Sequence, residues 1–279
     1  MTTHVLGRND ARVTVSEFGA HVLRWTVDGD ELLFLSSKAV MDGTKAIRGG
    51  VPICWPWFGP HGNGLSPAHG FARLSTWRTL EVSETKVTLE LTERDVDDAL
   101  LAGFSAFCLR YSVEIVDDDR LKLALVVKNT GERDLPPTTL ALHSYFRVAP
   151  ESVEVRLNAN DVRYIDQLRG GRPLIKRDGV FSSFGKEEVD LIALDVPASV
   201  DIVDSASSRK LTIESTGLPD AVLWNPYVKK AASMVDFGDD EWQCMVCVES
   251  ANIHRPVIVQ PGEDYKCAVT FRSWKGAET

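Results

Sequence analysis

The sequence predicts an all-β protein, a large antiparallel sandwich or barrel. Three observations predict it. Apolar and polar residues alternate with period two over many short segments, turn-forming residues separate those segments at short spacing, and helical periodicity is scarce. In chain order, residues 46–73 (AIRGGVPICWPWFGPHGNGLSPAHGFAR) come first. Their glycines and prolines fit neither a regular helix nor a regular strand, and a long loop of this kind is usually functional or disordered. The apolar WPWF stretch supplies surface to bury and argues for order. Val87, Leu89 and Leu91 then alternate with Thr88, Glu90 and Thr92, which predicts a strand. Residues 96–103 are the one stretch expected to form a short helix. Leu109, Tyr111, Val113 and Ile115 define a strand, and Leu121, Leu123, Leu125 and Val127 define its partner, with the acidic turn 117–120 between them. That pattern predicts a hairpin. In TTLALHSYF, Thr139, Ala141, His143 and Tyr145 share one face, and Leu140, Leu142 and Phe146 share the other. Met245, Cys247 and Glu249 likewise lie opposite Val246 and Val248. A last strand carries Tyr265, Cys267, Val269 and Phe271 after the turn Pro261–Gly262. There is no internal repeat, low-complexity linker or sharp change in composition, so residues 1–279 are expected to form a single domain.

The bulk numbers exclude several classes. The chain has 279 residues, is 44% hydrophobic and 25% charged, and carries a formal net charge of −9. Global electrostatics of that sign disfavours nucleic acid or an acidic membrane as partner, while leaving room for a local basic pocket. No apolar run approaches the roughly 20 residues that span a bilayer. The N-terminal MTTHVLGRND lacks a basic region followed by an apolar core, so a cytoplasmic location is the expectation. A monomer is expected as well. The five cysteines do not suggest a disulfide scaffold. Cys244 and Cys247 form a CxxC, but residues three apart in a strand point to opposite faces and no second CxxC exists. Buried strand cysteines are therefore expected, with no metal site.

Nine residues stand out for chemistry. His143 is either a hydrogen-bonded structural histidine or a general acid, since imidazole exchanges protons near neutral pH. Glu249 is either an exposed strand-end glutamate or a carboxylate whose pKa is raised by desolvation, which would make it a better base. Arg48 and Arg73 frame the glycine-rich loop. Each is a surface ion-pair partner or one half of a clamp on phosphate or carboxylate. His69 lines the same pocket or braces the loop. Trp55, Trp57 and Phe58 stack on a sugar ring or pack in the interior. Asp201 enters through the resemblance below.

IRGGVPICWPWFG, HGFAR, ALHSYF, WNPY and MVCVES occur here in the order found in hexose-6-phosphate mutarotases, the glucose-6-phosphate 1-epimerase branch of the aldose 1-epimerase superfamily. The chain resembles that branch from Phe18 to Gly262. The resemblance implies a galactose-mutarotase-like β-sandwich, His143 and Glu249 as the catalytic pair, and Arg48 and Arg73 as substrate ligands, chiefly for the phosphate. It implies a substrate-binding aspartate, best matched by Asp201 in ASVDIVD, although Ile202 stands where the family more often has arginine. Ala68 stands where the family often has a polar residue. The reaction implied is interconversion of the α and β anomers of a hexose 6-phosphate. One group takes the C1 hydroxyl proton while another protonates the ring oxygen, without cofactor or metal because neither electrons nor groups are transferred. A non-catalytic carbohydrate-binding sandwich, a free-aldose 1-epimerase and a glycoside hydrolase are the alternatives; the last would need two suitably spaced carboxylates.

Overall fold

The alternating segments pair as their patterns require. A computed structural model describes residues 1–60, 67–170, 172–176 and 178–276; residues 61–66 of the long loop lie outside the described residues. The strands Phe107–Asp117 and Arg120–Asn129 form the expected hairpin, with Asp117 opposite Arg120. Leu109, Val113, Leu121, Leu123 and Leu125 on one face are fully buried, whereas Arg110 and Lys122 on the other are exposed. Lys86–Thr92 and Asp264–Lys275 pair on either side of this hairpin.

These strands belong to a nine-stranded sheet, which packs with an eight-stranded and a four-stranded sheet. Every strand pairing among the described residues is antiparallel. One core joins all three sheets: Trp25 of the four-stranded sheet stacks on Phe271 of the nine-stranded sheet at 6.1 Å, and Phe146 of the eight-stranded sheet meets Phe271 edge-on at 5.2 Å. Such aromatic pairs add to the area they bury. The all-β sandwich expected from the sequence is the fold observed.

The eight-stranded sheet positions the site. Val246–Val257 runs through its middle, between Asp220–Asn225 and Thr138–Leu142. Its inner face sends Leu142, Leu223, Val246 and Val248 into the common core. Its outer face carries a separate apolar cluster of Cys54, Ala141, Ile192, Leu194, Val222 and Ala251. By period two, His143 follows Ala141 on that outer face, and Cys247 and Glu249 precede Ala251 on it.

Three local expectations are corrected. Residues 96–103 form no α-helix: 3₁₀ turns at Glu93–Asp95 and Asp98–Leu100 flank extended Val96, and the Asp97 carboxylate accepts from the Ala99 amide to start the second turn. The α-helix found among the described residues is Tyr227–Ser233, directly after WNP. The strand carrying His143 is broken, since Thr138–Leu142 stops before it and Tyr145–Phe146 resumes after it. In the gap the His143 amide donates to Pro52 O at 2.9 Å, keeping the register of the Ile53–Leu142 pairing, while the Ser144 amide turns back on Leu142 O at 2.9 Å and interrupts the strand. Finally, Cys244 ends a 3₁₀ turn, Glu241–Cys244, and only Cys247 of the CxxC lies in the strand.

Candidate active site

The loop that opens the sequence motif is shaped by its glycines. Gly50 has φ of +61°, and a Cβ there would sit 2.2 Å from Val22 O and 2.7 Å from His21 Nε2. Only glycine fits, so the chain after Arg48 can lie against the four-stranded sheet. Buried His21 donates to Gly49 O at 2.7 Å, and burial pushes its pKa down to about 4, which keeps it a neutral brace. Gly70, at φ of +70°, plays the same part in HGFAR, because a Cβ would lie 2.1 Å from Trp55 O. Gly70→Ala is expected to destabilise the fold by about 1–3 kcal/mol through strain and clash, read as a lowered midpoint in urea unfolding.

These loops bring the motifs to the outer face of the eight-stranded sheet. A cleft of about 310 Å³ is lined there by His143, Glu249, Arg48, His69, Asp190 and Lys230, together with Phe58, Trp224 and Met234. His143 Nδ1 lies 3.2 Å from Glu249 Oε1. Both side chains are buried, and Nδ1 of His143 and Oε2 of Glu249 make no hydrogen bond among the described residues. The imidazole stacks flat on Tyr145, with centroids 4.7 Å apart and planes 7° apart. Trp224 closes one edge at 6.1 Å and His69 another at 5.8 Å. The orientation of His143 is thus set by packing.

Electrostatics moves the two groups toward each other. Burial, followed by the charges of His69, Arg73 and Arg48, lowers the His143 pKa well below its ordinary value. Burial, reinforced by Asp190 and opposed by Arg73, raises that of Glu249 well above its ordinary value. The pair is therefore poised to hold one proton between two sites, which is the state a proton relay needs.

The other expected residues divide. Arg48 donates to the Tyr145 hydroxyl at 3.1 Å and to Asp236 at 3.2 Å, and these partners push its pKa up despite burial. Its Nε is buried without an acceptor among the described residues. His69 accepts from the Gly59 amide at Nδ1, and burial with Arg73 and Arg48 pushes its pKa down to about 3, so it both braces the loop and lines the cleft as a neutral ring. Arg73 donates to Ala68 O at 2.8 Å and is not among the described residues lining the cleft, although its charge is felt by His143, Glu249 and His69. Trp55 and Trp57 are interior packing against Phe71 and Phe104, and only Phe58 of that trio reaches the cleft.

Asp201 stands apart. It lies in Ser199–Asp204 of the nine-stranded sheet, where it accepts from Thr212 at 2.7 Å and faces Lys210 at 3.9 Å. Among the described residues, the carboxylate that the cleft contains besides Glu249 is Asp190 on Val189–Leu194. Burial and then Glu188 push its pKa up to about 6, with Lys230 opposing. Sequence reasoning missed Asp190 because VDLIAL reads as an ordinary strand, and missed Lys230 because the short helix bearing it was not foreseen.

A description of the family named aldose 1-epimerase matches residues 3–272. The chain belongs to the aldose 1-epimerase family. Among relatives of this epimerase-family chain, a protein of Cenchrus ciliaris named "Putative glucose-6-phosphate 1-epimerase" is 38% identical over 261 residues, 89% of this chain and 77% of that protein. One of the same name from Escherichia coli K12 is 34% identical, covering 84% and 77% of the two chains. A crystal structure described as "a putative mutarotase (YeaD)" from Salmonella typhimurium superposes with a TM-score of 0.86 at 28% identity, covering 97% of this chain and 90% of that one. A galactose mutarotase related enzyme of Lactobacillus acidophilus shares the fold at TM-score 0.78 and 14% identity. This epimerase-family chain is an isomerase with a mutarotase-type sandwich.

Proposed function

We propose that this chain interconverts the α and β anomers of a hexose 6-phosphate, glucose 6-phosphate foremost, with His143 and Glu249 as the proton-transferring pair. The observation that carries the reading is their 3.2 Å approach in a sugar-sized cleft that also holds Arg48 and Lys230. The names of the relatives supply the substrate class.

The pyranose must open and reclose. In the reacting form the proton shared by the pair stands on His143. Glu249 takes the proton of the C1 hydroxyl while His143 gives one to the ring oxygen, and the C1–O5 bond breaks to leave an open aldehyde. The pair's proton is now on Glu249, the neutral form that burial favours. Rotation about C1–C2 presents the other carbonyl face, and the two transfers reverse. The pair begins and ends with one proton, so no net charge change is required. Positioned acid–base groups supply about 10²–10⁴-fold each. Fixed orientation of the sugar against Phe58 and Trp224 supplies more.

Arg48 and Lys230 provide positive charge for the phosphate, and Arg73 adds to the field. Arg48 is partly neutralised by Asp236, whereas Lys230 makes no ion pair among the described residues. The phosphate holds the sugar by a group remote from the reacting carbon, and such binding energy positions the ring for reaction. Polarimetry of a freshly dissolved single anomer, with and without the 6-phosphate, tests the reading. Faster decay of optical rotation for the phosphorylated sugar supports it, and no acceleration of either sugar contradicts it.

Asp190 is an acceptor for sugar hydroxyls. A carboxylate accepts such bonds best when ionised, and Asp190 gains its proton as pH falls through about 6. kcat/KM is therefore expected to drop below that pH. The phosphate of the substrate ionises in the same range. The informative quantity is thus the difference between wild-type and Asp190→Asn profiles, which should contain this inflection in the wild type alone.

A further inference from the structure

We propose that His143, Cys247 and Glu249 form a binding site for zinc, through which zinc inhibits the enzyme. Cys247 and Glu249 are two apart on Val246–Val257 and so share its outer face. Tyr145 pairs with Cys247 across the ladder, which brings neighbouring His143 to the same spot. One ligand atom from each of the three lies within 4.8 Å of the others. The geometry is close to what zinc requires. Bonds of 2.0–2.3 Å in a tetrahedron put ligand atoms about 3.3–3.8 Å apart. The His143–Glu249 pair already stands at 3.2 Å, so closing the site asks for about 1 Å of movement by the thiol at most.

A second observation points to a ligand. Nδ1 of His143 and Oε2 of Glu249 are buried and make no hydrogen bond among the described residues, and Cys247 is a fully buried free thiol. Unpartnered buried donors and acceptors are uncommon in folded proteins. Imidazole, thiolate and carboxylate are the set that zinc takes, whereas magnesium and calcium want oxygen alone. His143 and Glu249 line the cleft, which gives the ion its entry path and leaves a fourth position facing the substrate space. Binding displaces two protons to solvent, that of the Cys247 thiol and the one shared by His143 and Glu249, and the ion takes the thiolate, the carboxylate and the lone pair of Nδ1. Arg48 and Arg73 lie near the site and weaken its hold on a dication, while Asp190 opposes them. The site therefore suits a reversible inhibitor. The CxxC partner Cys244 takes no part; its thiol donates to Glu241 O.

The inhibition rests on the acid–base reading above, whereas binding does not. The test is titration of the reduced full-length protein with cobalt(II), whose bond to a thiolate gives a near-ultraviolet charge-transfer band. One equivalent should produce the band in wild type and in Cys244→Ser, and no band in Cys247→Ser or Cys247→Ala. His143→Gln, a second variant that leaves the thiol in place, should weaken cobalt binding. Zinc should displace cobalt and lower wild-type turnover, and a chelator should restore it. The zinc concentration that halves turnover, referred to each variant's own zinc-free rate, should rise about tenfold or more in Cys247→Ser. No band in wild type, or a band that survives in both Cys247 variants, overturns the site while leaving the proposed activity standing. A Cys247-dependent band with undiminished turnover overturns the inhibition.

Discussion

Glu249→Gln is expected to lower kcat for anomer interconversion by about 10²–10⁴-fold, and His143→Ala by a similar factor. The amide of glutamine keeps the shape of the side chain and its place between Val222 and the cleft, yet can neither take nor return a proton. Glu249 is buried and its pKa is raised, so removing its charge should cost the fold little. Alanine at 143 also removes the ring that stacks on Tyr145, so its unfolding midpoint must be measured beside its rate. The double variant should be little slower than either single one, because the two groups carry out their proton transfers as a unit. Additive losses would mean that they act separately. Near-normal turnover in a folded single variant would exclude that residue from the chemistry.

Arg48→Ala is expected to cut kcat/KM for glucose 6-phosphate by about tenfold or more while touching glucose less. Charge-assisted hydrogen bonds are worth about 1.5–3 kcal/mol, and 1.4 kcal/mol is a factor of ten. Free glucose is the internal control, since damage to the loop or to the Asp236 and Tyr145 partners of Arg48 lowers both substrates alike. Lys230→Met should act in the same direction. Arg73→Ala should narrow the preference as well, through the field it casts rather than through a position in the cleft. Raising the salt concentration should reduce the wild-type preference, because an overall acidic protein holds an anion only by local charge. A wild type indifferent to the phosphate would redirect the account toward free aldoses.

Much of this was legible because a sheet writes its two faces into the chain. The alternation in 139–146 separated Ala141, His143 and Tyr145 from Leu140, Leu142 and Phe146, and the core membership of Leu140, Leu142 and Phe146 follows that division. The same rule placed Cys247 and Glu249 together. It could not say that the strand breaks beside His143, because the break is made by the Ser144 amide and hydroxyl turning back on Leu142 O, which alternation does not encode. Nor could it say which arginine enters the cleft. Arg48 and Arg73 frame one loop in sequence, but Arg48 is turned inward by Tyr145 and Asp236 while Arg73 is tied to Ala68. Asp201 enters on local resemblance alone, and nothing in VDLIAL singles out Asp190. Both sit in alternating strands, and only the sheet to which each strand is assigned separates them. Lys230 depends on a helix of seven residues, too short to announce itself by periodicity.

Proton exchange between the anomeric signals of glucose 6-phosphate, followed by magnetisation-transfer NMR in deuterated buffer, tests the central claim most directly. The account predicts transfer between the α and β C1 signals far above the buffer rate, with hydrogen retained at both C1 and C2, since only oxygen-bound protons move. Exchange no faster than in buffer alone, or deuterium appearing at C2, would contradict it.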